Sequence, residues 1–144
     1  MRKRTLARIC ALKILYQLDI SSFKNPQQAI NNFFANFPHP PQVKEFAQIL
    51  VEGVCKNIKE IDRLIQKYAY NWQLHRIAYV DRNILRLACY ELIFLDDIPP
   101  KVSINEAIEL AKKFGDMDSA KFVNGILDSI ARECISSSKK DEVR

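Results

Sequence analysis

The stretch Ile77-Ala78-Tyr79-Val80-Asp81-Arg82-Asn83-Ile84-Leu85-Arg86-Leu87-Ala88-Cys89-Tyr90-Glu91-Leu92 decides how this chain folds. Ile77, Val80, Ile84, Leu85, Ala88 and Leu92 recur at the spacing of one helix face, not at the period of two that marks a strand. No other segment is as apolar, so this is the expected central helix. Asp96-Asp97-Ile98-Pro99-Pro100 ends it, because proline cannot continue a helix.

Helical periodicity continues on both sides. Upstream, Thr5 is the expected cap of a first helix carrying Ile9, Leu12, Leu15 and Tyr16. Asn25-Pro26 starts a second, with proline at its first position. Ile30, Phe33, Phe34 and Phe37 line it, and Pro38-His39-Pro40-Pro41 breaks it. A third helix holds Val43, Phe46, Ala47, Leu50 and Val54, with Gly53 inside at a cost of up to about 1 kcal/mol unless a neighbour needs the space. A fourth, capped by Asn57, holds Ile58, Ile61, Leu64, Ile65 and Tyr68. Near Asn71-Trp72 the pattern falters, which predicts a turn or short helix anchored by the single tryptophan. Downstream, Ser103-Ile104-Asn105-Glu106 fits a capping box, with Val102 and Ala107 as its hydrophobic staple. Gly115 stops that helix. A last one starts at Asp118-Ser119 and buries Val123, Ile126, Leu127 and Ile130. The expected fold is all-α: one compact domain over residues 1–135, about seven helices around a single core, then a disordered polar tail over 136–144.

The 144 residues suit one domain, and a hydrophobic share of 48% excludes wholesale disorder. Three glycines exclude a Gly-rich phosphate loop. Charge is unevenly placed. Arg2, Lys3, Arg4, Arg8 and Lys13 precede the first acid, Asp19, and the other 17 basic residues are matched by 17 acidic ones. Such an N-terminal excess fits a solvated helix start or a nucleic-acid contact that gains affinity by releasing counterions. It does not fit a leader peptide, since Lys13, Gln17 and Asp19 interrupt the apolar run. No segment reaches the roughly 20 apolar residues of a membrane span. Cys10, Cys55, Cys89 and Cys134 lie in apolar helical patterns without a CxxC pair. They read as buried, reduced thiols of a cytoplasmic protein. His39 and His75 stand apart from each other and from any cysteine, so neither a metal nor a cofactor is expected.

No catalytic constellation emerges, neither GxSxG, Walker loop, HExxH nor GxGxxG. The pairs Glu106/Glu109 and Asp116/Asp118 read as helix-terminal acids favoured by the dipole. A non-enzyme is expected. Lys121-Phe122, at the start of the last helix, offers a cation beside a ring, the pairing a single-stranded RNA site uses. The same residues also read as a solvated lysine beside a core phenylalanine.

The run Val80 to Leu92 resembles the central signature of the NusB family of bacterial transcription antitermination factors. So do Ile98-Pro99-Pro100-Lys101-Val102-Ser103-Ile104-Asn105-Glu106-Ala107-Ile108-Glu109-Leu110-Ala111-Lys112-Lys113-Phe114-Gly115 and Ser119-Ala120-Lys121-Phe122-Val123-Asn124-Gly125-Ile126-Leu127-Asp128. Ala7-Arg8, Ala11-Leu12 and Leu15-Tyr16-Gln17-Leu18 are similar to the family's opening helix. The resemblance spans nearly the whole chain. It implies a helical RNA-binding adaptor that pairs with NusE, a small-subunit ribosomal protein. Together the two bind the boxA element of nascent RNA, notably in ribosomal RNA operons, and reach other antitermination factors and RNA polymerase through that complex. The resemblance places RNA contacts at Arg2, Lys3, Arg4, Arg8, Lys121 and Phe122, with Asp118 modulating charge. It places NusE contacts at Tyr16, Asp81 and Arg86, in a monomer or a homodimer. A NusB-like region also opens some ribosomal RNA cytosine methyltransferases, but these 144 residues contain no cofactor-binding α/β region. Many family members carry a denser N-terminal arginine run, which implies weaker RNA binding by this chain alone and greater dependence on NusE.

Overall fold

In the computed structural model, residues 1–135 and Lys139 are described. They form α1 (Lys3–Ile20), α2 (Pro26–Asn36), α3 (Pro41–Lys56), α4 (Ile58–Tyr68), a one-turn 3-10 helix (Leu74–Arg76), α5 (Tyr79–Phe94), α6 (Pro100–Phe114) and α7 (Ser119–Cys134). The expected all-α architecture is what the chain adopts. Among the described residues no helix is long and apolar enough to cross a membrane.

Helix starts follow proline more than side-chain caps. Pro26, Pro41 and Pro100 each sit in the first turn, where the missing N–H is an orphan anyway. The expected caps at Thr5 and Ser103 are not used: α1 begins at Lys3 and α6 at Pro100, so both residues lie inside helices. Their hydroxyls serve the carboxylates of Glu106 and Glu91 instead. Asn57 precedes α4, but its amide donates to the Gly53 carbonyl at the end of α3. Val102 is exposed, so there is no staple.

α5 is the axis of the molecule and packs against α1, α3, α4, α6 and α7. From Arg82 to Leu92 every residue except Tyr90 is buried, so the helix is covered all round. Tyr90 lies on Gly53, where a Cβ would come within 2.0 Å of the ring. That contact is why α3 tolerates a glycine. α2 covers α1 and α3, while α6 and α7 close the other side. The apolar stripes expected for α3 and α7 are buried in full.

Burying α5 takes its charged residues inside. Arg8 of α1 makes a two-pronged ion pair with Glu91, Nε to Oε2 at 2.7 Å and Nη2 to Oε1 at 2.8 Å. Its Nη1 donates to Glu106 Oε1 at 3.2 Å. Thr5 Oγ1 donates to the same Glu106 oxygen at 2.6 Å, and Ser103 Oγ to Glu91 Oε1 at 2.8 Å. This set fastens α1, α5 and α6. A second set fastens the end of α1 to α5 and α4. Arg82 grips both oxygens of Asp19, Asn83 donates to Asp19 Oδ2, and Arg86 bridges Asp19 to Asp62. Burial pushes the Asp19 carboxyl up. The hydrogen bonds from Arg82 and Asn83 and the nearby guanidinium charges outweigh it and hold the group below its ordinary value.

Three further expectations need correction. Trp72 is no buried anchor, its side chain being 53% exposed. Phe37 lies just past α2 and faces solvent. Cys134 is exposed, because it falls on the outer face of the last turn of α7. Cys10 and Cys89 are buried as expected and Cys55 is half-buried, all four thiols being free. Burial pushes Cys55 up to about 11 and Cys89 up to about 12, so both stay protonated. The tail expected from Ser136 lies outside the described residues, Lys139 excepted. That ammonium is buried and donates to the carbonyls of Glu91, Leu92 and Leu95, where a cation complements the end of α5.

Candidate nucleic-acid interface

The N-terminal cations separate into two groups. Met1 to Arg4 are exposed, whereas Arg8 is only 3% exposed and fully engaged by Glu91 and Glu106. Arg8 is therefore corrected from a phosphate contact to an internal tie. Arg4 lies 4.4 Å over the Phe46 ring and 3.6 Å from Asp97, which partly offsets its charge. Arg2 and Lys3 keep theirs outward.

α1 and α6 run side by side in the same direction, Thr5 meeting Glu106 and Lys13 meeting Phe114. Arg2 shares a hollow of about 540 Å³ with Lys112 and Lys113. At the far end, the ammonium groups of Lys13 and Lys113 lie 5.9 and 5.6 Å from the centre of the Phe114 ring. Only Gly115 to Asp118 then separate α6 from α7, where Lys121 is exposed and Phe122 half-buried. Exposed cations thus line one edge of α1 and α6, with Glu109 3.7 Å from Lys112, and the short link Gly115 to Asp118 leads from there to Lys121 at the start of α7. Lys13, Lys112 and Lys113 complete an edge that reasoning from Arg2 to Arg4 and Lys121 leaves open. They come from separate helices, so no local pattern joins them.

The α7 start is built by Asp116, whose Oδ1 accepts from the Asp118 N–H and the Ser119 hydroxyl. Asp118 sits at the N-cap without a side-chain cap bond, its carboxylate exposed beside Lys121 and Phe122. Asp118, Asp116, Asp81, Trp72 and Phe122 line a second hollow of about 300 Å³. Asp81 Oδ1 is buried there without a hydrogen-bond partner. Burial raises the affinity of this carboxyl for a proton and the neighbouring Asp116 adds to that, the Ser119 hydroxyl nearby opposing them.

The positions expected to share a protein surface do not all do so. Tyr16 is exposed and makes an edge contact with Tyr79, their centroids 5.8 Å apart, and Arg82 lies over Tyr79. Asp81, two residues along α5, belongs to the α7 hollow instead. Arg86 is corrected outright: at 5% exposure it is held between Asp19 and Asp62 and presents nothing to a partner. Among the described residues no cluster of His, Cys, Asp and Glu could hold a metal ion.

The family model described as "NusB family" matches residues 5–132. The chain belongs to the NusB family. The Transcription antitermination protein NusB of Bacillus licheniformis is 50% identical over 128 residues, covering 89% of this chain and 95% of that protein. The protein of the same name from Desulfatibacillum aliphaticivorans is 47% identical over 130 residues, 90% of each. Among solved structures, T. maritima NusB superposes with a TM-score of 0.88 at 39% identity, covering 98% of both chains. A crystal structure of antitermination factors NusB and NusE in complex with dsRNA contains a chain matching at 0.83 and 34% identity. It covers 92% of this chain and 98% of that one. The NusB family thus includes a fold neighbour solved with RNA, the ligand class to which a cationic edge is suited.

Proposed function

We propose that this chain is a transcription antitermination factor that binds the boxA element of nascent RNA together with NusE, notably in ribosomal RNA operons. It acts in the cytoplasm by binding, without catalysis or a cofactor, and meets other antitermination factors and RNA polymerase through that complex. The observation that carries this reading is the cationic edge running from Arg2 and Lys3, past Lys112, Lys113 and Lys13, to Lys121 and Phe122. Phosphates are attracted along that edge without regard to sequence, and base identity is read where rings are available. Arg4 contributes a partly screened charge. The exposed Tyr16 and Tyr79 pair offers a separate surface for NusE.

The test is binding of labelled boxA RNA with and without NusE. NusE is expected to tighten it, and no binding in either case overturns the reading. Deleting residues 2–4 is expected to flatten the salt dependence, by about 0.7 in the log–log slope for each phosphate of the single strand that the arm neutralises. An unaltered slope removes the arm from the site. Asp118→Asn takes a negative charge from beside Lys121 without removing a cap bond. It should tighten binding about two- to fivefold at fixed low salt, the scale of one exposed charge interaction. Unchanged or weaker affinity counts against this path for the phosphates.

A further inference from the structure

The half-exposed tryptophan needs an explanation that the cationic edge does not supply. Trp72 is the single tryptophan of the chain, yet 53% of it faces solvent, and Tyr70 beside it is 81% exposed. Leaving so much ring in water forgoes the burial that usually makes tryptophan a core residue. The loop that carries it is also firmly held. Gln66 of α4 donates to the Trp72 carbonyl and accepts from the Leu74 N–H, both at 2.7 Å. The Trp72 N–H donates to the Ala69 carbonyl at 2.8 Å. A pinned loop that presents two rings is a pre-organised ledge.

The ledge faces α7. Trp72 and Phe122 meet edge to face, 6.3 Å between centroids at 75°. On the Tyr70 side of this pair lies an open hollow of about 510 Å³, lined also by Gly125, Lys121 and Asp118. Gly125 is the second anomaly. It stands in the middle of α7 with ordinary backbone angles, and a Cβ there would meet nothing within 4 Å. No packing contact requires this glycine, although glycine weakens a helix interior. What its missing side chain does is keep the floor of the hollow low.

We infer that the hollow between Tyr70, Trp72 and Gly125 takes an unstacked base of single-stranded RNA, with Lys121 holding the adjoining phosphate. This rests on the RNA-binding reading above and extends it from the cationic edge onto the loop between α4 and the 3-10 helix. Its aromatic walls suit a nucleobase, which offers a π face whatever its identity, and Lys121 stands beside the Asp118 carboxylate at the rim. The hollow on the other side of Trp72 is the poorer candidate: it shares Asp118 and adds Asp81 and Asp116, against the single cation Arg76.

The full chain carries its own reporter. Emission from Trp72 should be quenched by single-stranded boxA RNA and much less by the same RNA annealed to its complement. Labelled RNA gives affinity independently. Trp72→Ala should weaken single-strand binding about 5- to 100-fold, the range for loss of one stacked base, while Trp72→Phe keeps most of it. Gly125→Leu should raise the melting temperature and yet weaken the same binding, two opposite changes that a purely structural glycine would not produce. If labelled RNA binds but emission, Trp72→Ala and Gly125→Leu all leave it unchanged, this inference falls and the RNA reading stands. Emission that responds to NusE alone, or equally to duplex RNA, also overturns it. Absence of any RNA binding overturns both.

Discussion

Replacing Arg8 with Met should lower the unfolding free energy by about 3–5 kcal/mol, measured by urea denaturation. The guanidinium satisfies both oxygens of Glu91 and one of Glu106, in a region where Arg8 and Glu91 side chains are 3% and 2% exposed. Removing it strands the Glu91 charge with only the Ser103 hydroxyl as a side-chain donor. Arg8→Lys should recover only part of the stability, because an ammonium cannot reproduce the two-pronged geometry. The double change Arg8→Met with Glu91→Met should be markedly more stable than Arg8→Met alone, since it removes the stranded charge as well. A variant as stable as the parent but impaired in RNA binding would return Arg8 to the phosphate path.

The second large effect is at Asp19, whose carboxylate gathers Arg82, Asn83 and Arg86 at the junction of α1 and α5. Asp19→Ala should cost about 3–5 kcal/mol at neutral pH, because it leaves Arg82 without its ion-pair partner and Arg86 with Asp62 alone. The pH profile separates this from simple loss of packing. The folded-state affinity of Asp19 for a proton is lowered, so its stabilising contribution is complete above the ordinary aspartate value of about 3.9. It is lost as pH falls through the depressed folded value. Denaturation curves of parent and Asp19→Ala should therefore differ fully near pH 7 and draw together in strong acid. A gap that stays constant with pH would show that the charge is not what holds this junction.

Both predictions concern residues whose role was only half legible. The helical periodicity of the central segment marks α5 as the axis, and its neighbours confirm that on all sides. Yet nothing within that segment shows that the surrounding helices close over Arg82, Arg86 and Glu91, and the family resemblance places the second of these against a partner. The same holds for the candidate site. Lys121 and Phe122 form a local pair that can be noticed in one segment. Lys13, Lys112 and Lys113 join them only because α1 and α6 lie side by side, and Trp72 reaches Phe122 across 50 positions of chain.

Local chemistry determined what acts locally: where helices run, that Pro26 opens one of them, and that the N-terminus carries unmatched charge. It did so because backbone sterics and periodic hydrophobicity act over a few residues. Tertiary structure decided which polar groups are spent. Ser103 and Glu106 match a helix cap, worth about 1 kcal/mol, but Glu106 serves Thr5 and Arg8, 101 and 98 positions away. Satisfying a buried arginine is worth several times more than a cap, so the longer-range demand prevails. Arg8 follows the same rule: counted among the basic residues of the N-terminus, it belongs to the core.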